Sequence, residues 1–373
     1  MKKRVLILVN HEIVIYNFRL EIVEKLLSEG YEVIISSPKG EKINKLIQLG
    51  CEFEEIKLNR HSKNPLEALK LIYSYKSLIK KWNPVSILSF TIKPNIYGAI
   101  AAKSSKTPFI ANITGLGSAV EEPGLLQLIT LKLYRFAFKD VKTIFFQNEE
   151  NKAFFEKHKL YSDKHKLLPG SGVNLYRFPY LEYPEKETVD FIFISRIMKS
   201  KGIDYYLEAA RQIRKEFPQT RFHICGFCEE NYEELLKIEE EKENIIYHGM
   251  VDNIQLILKN INCTIHPTYY PEGLSNVLLE SAASGRPIIT TNRSGCREVV
   301  NEFENKNGYL VEVKNQSELN NTIRKFLNLS TIEMAKMGRN SRKKVEENFD
   351  RNIVVQKYLE EIEETSVRRG EKE

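Results

Sequence analysis

The sequence predicts an α/β protein of two tandem domains, each a doubly wound parallel sheet with helices on both faces. Three observations lead there. Short apolar runs alternate with amphipathic helical stretches along the whole chain. The runs are apolar throughout rather than at every second position, as in strands buried on both faces. The pattern also stops once, at residues 178–190, and then restarts. With 373 residues, two domains fit the length.

In the first half the expected strands are 4–9, 32–36, 87–90, 109–113, 143–146 and 166–168. Helices 20–29, 42–49, 65–81, 96–103, 125–139 and 150–157 fall between them, and this repeated strand–helix order makes the sheet parallel. The segment FPYLEYPEKETVD, residues 178–190, is rich in proline, tyrosine and charge, has no helical period, and reads as a linker. Strands 191–195, 222–225, 245–247, 263–266, 288–291 and 309–311 follow, with helices 203–216, 231–241, 254–260, 276–284, 317–327 and 332–347. A last amphipathic helix is expected over 352–364.

Composition limits the function. Hydrophobic residues make up 42% and charged residues 28%, which excludes a disordered or collagen-like protein. Five cysteines are too few for a disulfide scaffold and suit a reducing compartment. The start, MKKRVLILVNHE, is basic like a signal peptide, but its apolar run 5–9 is shorter than the roughly 7–15 residues of an h-region. No run nears the ~18 apolar residues of a membrane span, and the most apolar stretch, 125–138, is broken by Lys132 and Arg135. The expectation is a cytoplasmic protein.

The net charge of +6 is uneven. Residues 1–185 hold 28 Lys and Arg against 19 Asp and Glu, a net of +9, whereas residues 186–373 hold 28 against 31, a net of −3. Between Lys57 and Lys106 ten basic residues meet one acid, Glu67. Either this is a solvated lysine-rich face, or the first half meets anionic lipid or a phosphorylated substrate. No nucleic-acid-binding motif is present, and nucleic acid is not an expected partner.

Ligands of open α/β sheets bind beyond the carboxyl ends of the strands. Two such sheets facing each other would hold a shared ligand in the cleft between them. After strand 191–195 comes Ser195-Arg196-Ile197-Met198-Lys199-Ser200-Lys201-Gly202, opening a helix. Cations in such a loop make a phosphate site, or else an ordinary surface turn. After strand 263–266 comes Pro267-Thr-Tyr-Tyr-Pro271-Glu272-Gly273-Leu274-Ser275-Asn276, opening another helix. Gly273 would let the backbone approach a ligand, and the N–H groups of Leu274, Ser275 and Asn276 would point at an anion. Glu280 lies about 2.2 turns beyond Glu272, on roughly the same side. A carboxylate there suits paired hydroxyls such as a ribose; otherwise Glu272 is a helix-start acid and Glu280 a solvated one.

The string Pro271-Glu-Gly-Leu-Ser-Asn-Val-Leu-Leu-Glu280, followed by Ser281-Ala-Ala-Ser-Gly285-Arg-Pro287, resembles the E-x7-E element of retaining glycosyltransferases of family GT4. Arg196 and Lys201 match that family's Arg and Lys for the donor diphosphate. The resemblance spans essentially the whole chain and implies the GT-B fold. It implies a Rossmann-like acceptor domain over 1–177, the linker 178–190 and a Rossmann-like nucleotide-sugar domain over 191–350. Within 351–373 it implies a helix packed back on the first domain, ending in a frayed tail. It further implies that Glu272, Arg196 and Lys201 are catalytic, with donor contacts from Gly117, Gly249, Met250, Gly273, Leu274, Ser275, Asn276 and Glu280.

Ile15-Tyr16-Asn17-Phe18-Arg19, Ile92-Lys93-Pro94-Asn95 and Thr114-Gly115-Leu116-Gly117-Ser118 are similar to a subset of that family acting on capsule, O-antigen or protein-glycan precursors. The similarity implies acceptor contacts from Tyr16, Asn17, Arg19, Lys93 and Asn95. It implies an acceptor saccharide on a polyprenyl diphosphate, at the inner face of the cytoplasmic membrane. Helix 65–81, which interleaves Leu66, Leu69, Ile72 and Leu78 with Lys70, Lys76, Lys80 and Lys81, is either a contact with an anionic membrane surface, which agrees with this, or an ordinary buried helix. The implied reaction moves a hexose or N-acetylhexosamine from a nucleotide-diphospho donor, UDP-linked by family weight, with retention and with no metal or other cofactor. A nucleotide-sugar epimerase or polymer synthase on the same fold, and a UDP-binding scaffold without turnover, are the alternatives. One departure is the first strand–helix loop, where many members have Gly-Gly and this chain has Asn10-His11-Glu12-Ile13.

Other motifs fall away. Gly115-Leu-Gly117 meets Val120 where a dinucleotide fingerprint needs its third glycine, and no P-loop occurs. His11-Glu12 has Ile15 where a zincin needs histidine. Cys225-Gly-Phe-Cys228 has no second pair, so neither zinc nor redox chemistry is expected. His248 precedes Gly249 at a strand end; the resemblance puts Gly249 and Met250 near the base, and otherwise this is a strand-capping turn, while His266 reads as a buried polar residue at a strand end.

Overall fold

The computed structural model describes residues 2–59, 62, 64–117, 120, 123–185 and 187–370. Ser118 and the tail residues 371–373 therefore lie outside the described residues. The chain divides into two compact units, Met1–Ser171 with Arg351–Glu373, and Gly172–Asp350.

In the first unit β1 (Arg4–Leu8), β2 (Glu32–Ser37), β3 (Glu52–Glu55), β4 (Ser86–Phe90), β5 (Phe109–Ile113), β6 (Thr143–Phe146) and β7 (His165–Leu167) form one parallel sheet. Their order is β3-β2-β1-β4-β5-β6-β7. The helices are α1 (Ile13–Phe18), α2 (Leu20–Ser28), α3 (Ile43–Gln48), α4 (Pro65–Trp82), α5 (Ile92–Ala102), α6 (Leu125–Ala137) and α7 (Glu149–Lys157). Local chemistry sets the ends of α4. Asn64 accepts the Leu66 N–H at 2.9 Å, Pro65 fills the first helical position, and Asn83 closes the helix in the left-handed region.

The C-terminal helix, Arg351–Gly370, belongs to this unit. Its Val354, Val355, Tyr358, Leu359 and Ile362 are buried with Val5, Ile7, Phe90 and Phe145. The Tyr358 ring meets Phe145 edge-on at 5.2 Å. Glu361, though buried, is paired with Lys166 and accepts from the Thr143 hydroxyl at 2.5 Å, as a buried carboxylate requires. Arg351 grips Glu21 of α2 at 2.8 Å.

In the second unit β8 (Val189–Ile194), β9 (Thr220–Cys225), β10 (Ile246–Tyr247), β11 (Cys263–His266), β12 (Ile288–Thr291) and β13 (Gly308–Val311) run parallel in the order β10-β9-β8-β11-β12-β13. Helices α8 (Ile203–Glu216), α9 (Glu233–Glu241), α10 (Gln255–Leu258), α11 (Asn276–Ala283), α12 (Gln316–Leu327) and α13 (Thr331–Asn348) connect or follow them. A capping box of Ser330 and Glu333 starts α13.

Three differences from the sequence reading have physical causes. β3, Glu52-Phe-Glu-Glu55, is a partly exposed edge strand with only one apolar residue, so no apolar run betrays it. α5 begins at Ile92 rather than 96, because Pro94 sits in the first turn, where a missing N–H costs nothing. Residues 178–190 lie inside the second unit rather than between units. Phe178 is buried beside Leu274 and Leu278, the Tyr183 hydroxyl donates to the Asn262 carbonyl at 3.0 Å, and Arg286 donates to the carbonyls of Leu181 and Glu182.

Tyr358→Ala tests how far the first unit depends on the C-terminal helix. Removing a buried aromatic there is expected to cost about 3–5 kcal/mol, read as a lower urea midpoint. A change under about 1 kcal/mol would show that the helix is dispensable to the core.

Candidate functional site

Strand order reverses between β8 and β11, which pair directly, with Cys263 opposite Phe191. The loops leaving these two strands are therefore neighbours at the switch point, where open α/β sheets bind ligands. Their backbones are locked together. Tyr269 N–H donates to the Ser200 carbonyl at 2.9 Å. Gly202, at φ +85°, lies so close to the other loop that a Cβ there would sit 2.1 Å from the Pro267 carbonyl oxygen.

This seam positions the cations. Lys201 ends a short 3-10 turn, Lys199–Lys201, and is 7% exposed. Its ammonium pairs with the Glu272 carboxylate and lies 4.4 Å from the Tyr270 ring centre. Arg196 faces the same ring at 5.4 Å and donates to Glu229 at 2.7 Å. Burial opposes the Arg196 charge, but hydrogen bonds to Glu229 and Tyr270 outweigh it and raise its pKa. Tyr270 is thus a plate shared by both cations. Sequence reasoning gave it no role, although its place two residues before Glu272 was a signal.

Glu272 and Gly273 are held by a third loop, after β12. Gly295 is at φ +87°, where a Cβ would meet Glu272 Cβ at 2.7 Å. Its carbonyl accepts the Ser275 N–H at 2.7 Å. This corrects the expectation for Ser275: its N–H is committed to the protein and is not open to an anion. The Leu274 N–H has no acceptor among the described residues. Asn276 begins α11, and Glu280 lies half-buried on that helix. Gly249, at φ +64°, receives the Gly226 N–H on its carbonyl at 2.8 Å, and Met250 beside it is exposed. His248 bonds to His223 at 2.9 Å, and His223 to Asp190 at 3.2 Å.

His266, at the end of β11, is buried, and neither ring nitrogen has a partner among the described residues. Burial, then the Lys201 charge, pushes its pKa down to about 3. The cysteines of the C-x-x-C are free, and burial pushes Cys225 up to about 12. Among the described residues no His, Cys, Asp and Glu cluster could hold a metal ion.

The acceptor residues expected in the first unit divide. Tyr16 and Asn17 reach the surface, with Lys42 and Lys45 over the Tyr16 ring at 5.6 and 5.5 Å. Arg19 and Asn95 are buried, which corrects their reading as direct contacts. Arg19 stacks on Phe90 at 5.3 Å, and Asn95 donates to the Asn112 carbonyl at 2.8 Å, so both hold the loops from inside. Lys93 donates to the carbonyls of Asn59 and Ser62 at 2.5 and 2.6 Å. It lines a groove of about 1270 Å³ along α4 with Leu58, Leu69, Tyr73, Lys57 and Lys70. Gly117, at φ +68°, follows β5. Two residues stand out here that had no site role in the sequence reading: Glu12, buried so close beneath Gly40 that a Cβ on that glycine would touch its carboxylate, and Thr91, at φ +73° and ψ 158° after β4. A β-branched residue in that region is strained, and such strain gathers at functional sites.

The His266 site has a pH consequence. Its folded pKa of about 3 lies below the unfolded value of about 6.5, so the unfolded chain binds the extra proton first. Stability from this site is complete above pH ~6.5 and is lost as pH falls toward ~3, by up to about 1.4 kcal/mol per pH unit. His266→Leu is expected to flatten that acid loss in urea titrations across the window. An unchanged slope would mean that His266 titrates normally.

Residues 4–148 match the family Glycosyl transferase 4-like, and residues 181–344 match the family Glycosyl transferases group 1. N,N'-diacetylbacillosaminyl-diphospho-undecaprenol alpha-1,3-N-acetylgalactosaminyltransferase of Campylobacter jejuni is 27% identical, over 92% of this chain and 94% of its own. A glycosyltransferase structure from Rickettsia africae matches with a TM-score of 0.83 at 21% identity, over 98% of each chain. HepE of Anabaena, in complex with UDP-glucose, matches at 0.77 and 16% identity, over 97% of this chain and 99% of its own. The solved structures establish the GT-B fold, the two family matches fall one on each unit, and the chain belongs to the GT4-type glycosyltransferases.

Proposed function

We propose that this glycosyltransferase moves a hexose or N-acetylhexosamine, with retention and without a metal, from a UDP-linked donor to a saccharide carried on a polyprenyl diphosphate. The observation that carries the reading is the buried Lys201–Glu272 pair beside Arg196 at the strand-order reversal. Two comparisons add support: the Campylobacter relative is named for transfer onto a diphospho-undecaprenol acceptor, and HepE was solved with UDP-glucose.

In this reading Arg196, Lys201 and the N–H groups of Leu274 and Asn276 stabilise charge developing on the leaving diphosphate, which is the main catalytic load. The diphosphate replaces Glu272 as the partner of Lys201, and Glu272 turns to the sugar hydroxyls. Glu280 accepts from the ribose, Gly249 and Met250 border the base, and Gly273 and Gly117 let the backbone approach the donor. The acceptor hydroxyl attacks from the face the diphosphate leaves, and its proton passes to a diphosphate oxygen. The new glycosidic bond forms as the sugar–phosphate bond breaks.

The acceptor enters through the first unit, with Tyr16, Asn17 and Lys93 on its approach. The apolar and cationic lining of the α4 groove suits a lipid next to a diphosphate. The working place is the anionic inner face of the cytoplasmic membrane, a proposal the basic excess of residues 1–185 supports.

Lys201→Ala and Arg196→Ala are each expected to lower kcat by roughly 10²–10³ while the fold is kept. Wild-type turnover in either would sink the assignment. Glu280→Gln is expected to weaken UDP binding in calorimetry with little change in kcat, and unaltered affinity would remove its ribose role. A donor screen with bacterial lipid extract and EDTA tests the whole reading. Lipid-dependent UDP release from one donor is the expected result; conversion of the donor without lipid would point to an epimerase, and UDP binding without turnover to a scaffold.

A further inference from the structure

The helices α4, α5 and α6 share one side of the first unit's sheet. They connect β3, β4, β5 and β6 in turn and bury Tyr75, Ile79, Ala99, Leu131 and Tyr134 in one core. α5 packs against both others and is largely buried, so α4 and α6 carry the outward surface.

On α6 that surface is mostly apolar. Leu131, Tyr134 and Ala137 face the core, yet Leu125 is 75% exposed, and Leu128, Ile129 and Phe136 are also exposed. Their spacing of three, four and seven residues makes one stripe directed away from the sheet. A helix of a soluble domain ordinarily turns its polar side outward, and contiguous exposed apolar stripes mark contact surfaces. On α4, Ile72 and Leu78 pack against the core, while Leu66, Leu69 and Tyr73 point outward. Cations lie within and beside the α6 stripe, with Lys132 and Arg135 exposed on the same face. Lys103, Lys132, Arg135 and Lys139 line a concavity of about 490 Å³ together with Phe136 and Asp140. Lys103 lies 4.1 Å above the Phe136 ring. Among the described residues no helix is long and apolar enough to cross a membrane.

We propose that α6 is a membrane-docking helix. It lies in the plane of an anionic bilayer, with Leu125, Leu128, Ile129 and Phe136 at the headgroup–acyl boundary. Lys132, Arg135, Lys139 and Lys103 meet lipid phosphates, and Leu66, Leu69 and Tyr73 of α4 form a second line of contact. Lys103 already pairs with Asp140 at 3.8 Å, but exposed apolar residues interleaved with the exposed cations Lys132, Arg135 and Lys139 match the layered chemistry of an anionic bilayer, apolar below and phosphate above. The inference deepens the reading of a membrane-borne acceptor and rests on it for its purpose, though not for its test.

The test is flotation of the full chain with phosphatidylcholine vesicles, with and without phosphatidylglycerol. Binding is expected only with phosphatidylglycerol and is expected to weaken as salt rises. Leu125→Ser with Leu128→Ser and Ile129→Ser is expected to lower the bound-to-free ratio by about ten-fold or more, with UDP binding unchanged. Lys132→Glu with Arg135→Glu is expected to lower it without altering the apolar stripe. Wild-type protein that stays unbound, or a triple serine variant that floats like the wild type, would overturn the proposal. So would a dimer, seen by light scattering, that the serine variant abolishes without any flotation of the wild type. Flotation that depends on α6, with no lipid-linked product in the donor screen, would leave this inference standing and overturn only the proposed acceptor.

Discussion

A buried ammonium governs the second unit. Lys201 has lost nearly all its water, and an unpaired charge in that position would cost several kcal/mol. Its partner cannot come from its own loop, so it comes from the next strand in the sheet. Glu272 is available only because β11 lies against β8. The pairing in turn needs the two loops nearly in backbone contact, and Gly202 removes the Cβ that would prevent it. Gly295 does the same for the third loop, which fixes the Glu272–Gly273 turn from behind. One ion pair is thus supported by backbone approaches that only glycine permits, and the chemistry of the edge inherits their rigidity.

The same arrangement leaves both cations of the unliganded edge already matched. Arg196 faces Glu229 and Lys201 faces Glu272. His266 does not disturb the balance, because burial beside Lys201 keeps its ring neutral. Under the proposed function, an arriving diphosphate would meet cations already held by carboxylates and facing one ring, Tyr270. Under the proposed reaction this is preorganisation: the positive groups need no rearrangement when charge develops on the leaving group, and one displaced carboxylate is left beside the sugar.

Much of this was legible in the residues. Strands buried on both faces leave continuous apolar runs, and nearly every such run is a strand in the structure. The cations and carboxylates were found because strand ends are where such sheets place ligands. What stayed hidden depends on what lies opposite. β3 has no apolar run because one side of it is solvent. Arg19 and Asn95 occupy loop motifs, but their side chains turn inward, and sequence spacing carries no sign of that direction. The Ser275 N–H is taken by a carbonyl twenty residues further along the chain, from Gly295, a contact that only the fold creates. Residues 178–190 have the composition of a linker, yet Phe178 and Tyr183 anchor them to the second unit.

The α6 segment shows the same limit from the other side. Its sequence is apolar with two cations, which argues against a span but does not say which apolar residues serve the core. The structure divides them: Leu131, Tyr134 and Ala137 fill the space over the sheet, and Leu125, Leu128, Ile129 and Phe136 are left outside. Core packing therefore gives no reason for the outer set, and each exposed leucine adds apolar area that water disfavours. Lys132 and Arg135 lie within the outer face itself, so a helix meeting a bilayer there keeps them at the headgroups by lying flat. The cations that interrupt the hydrophobic run thus exclude spanning and favour a surface orientation, a distinction that total hydrophobicity would not draw.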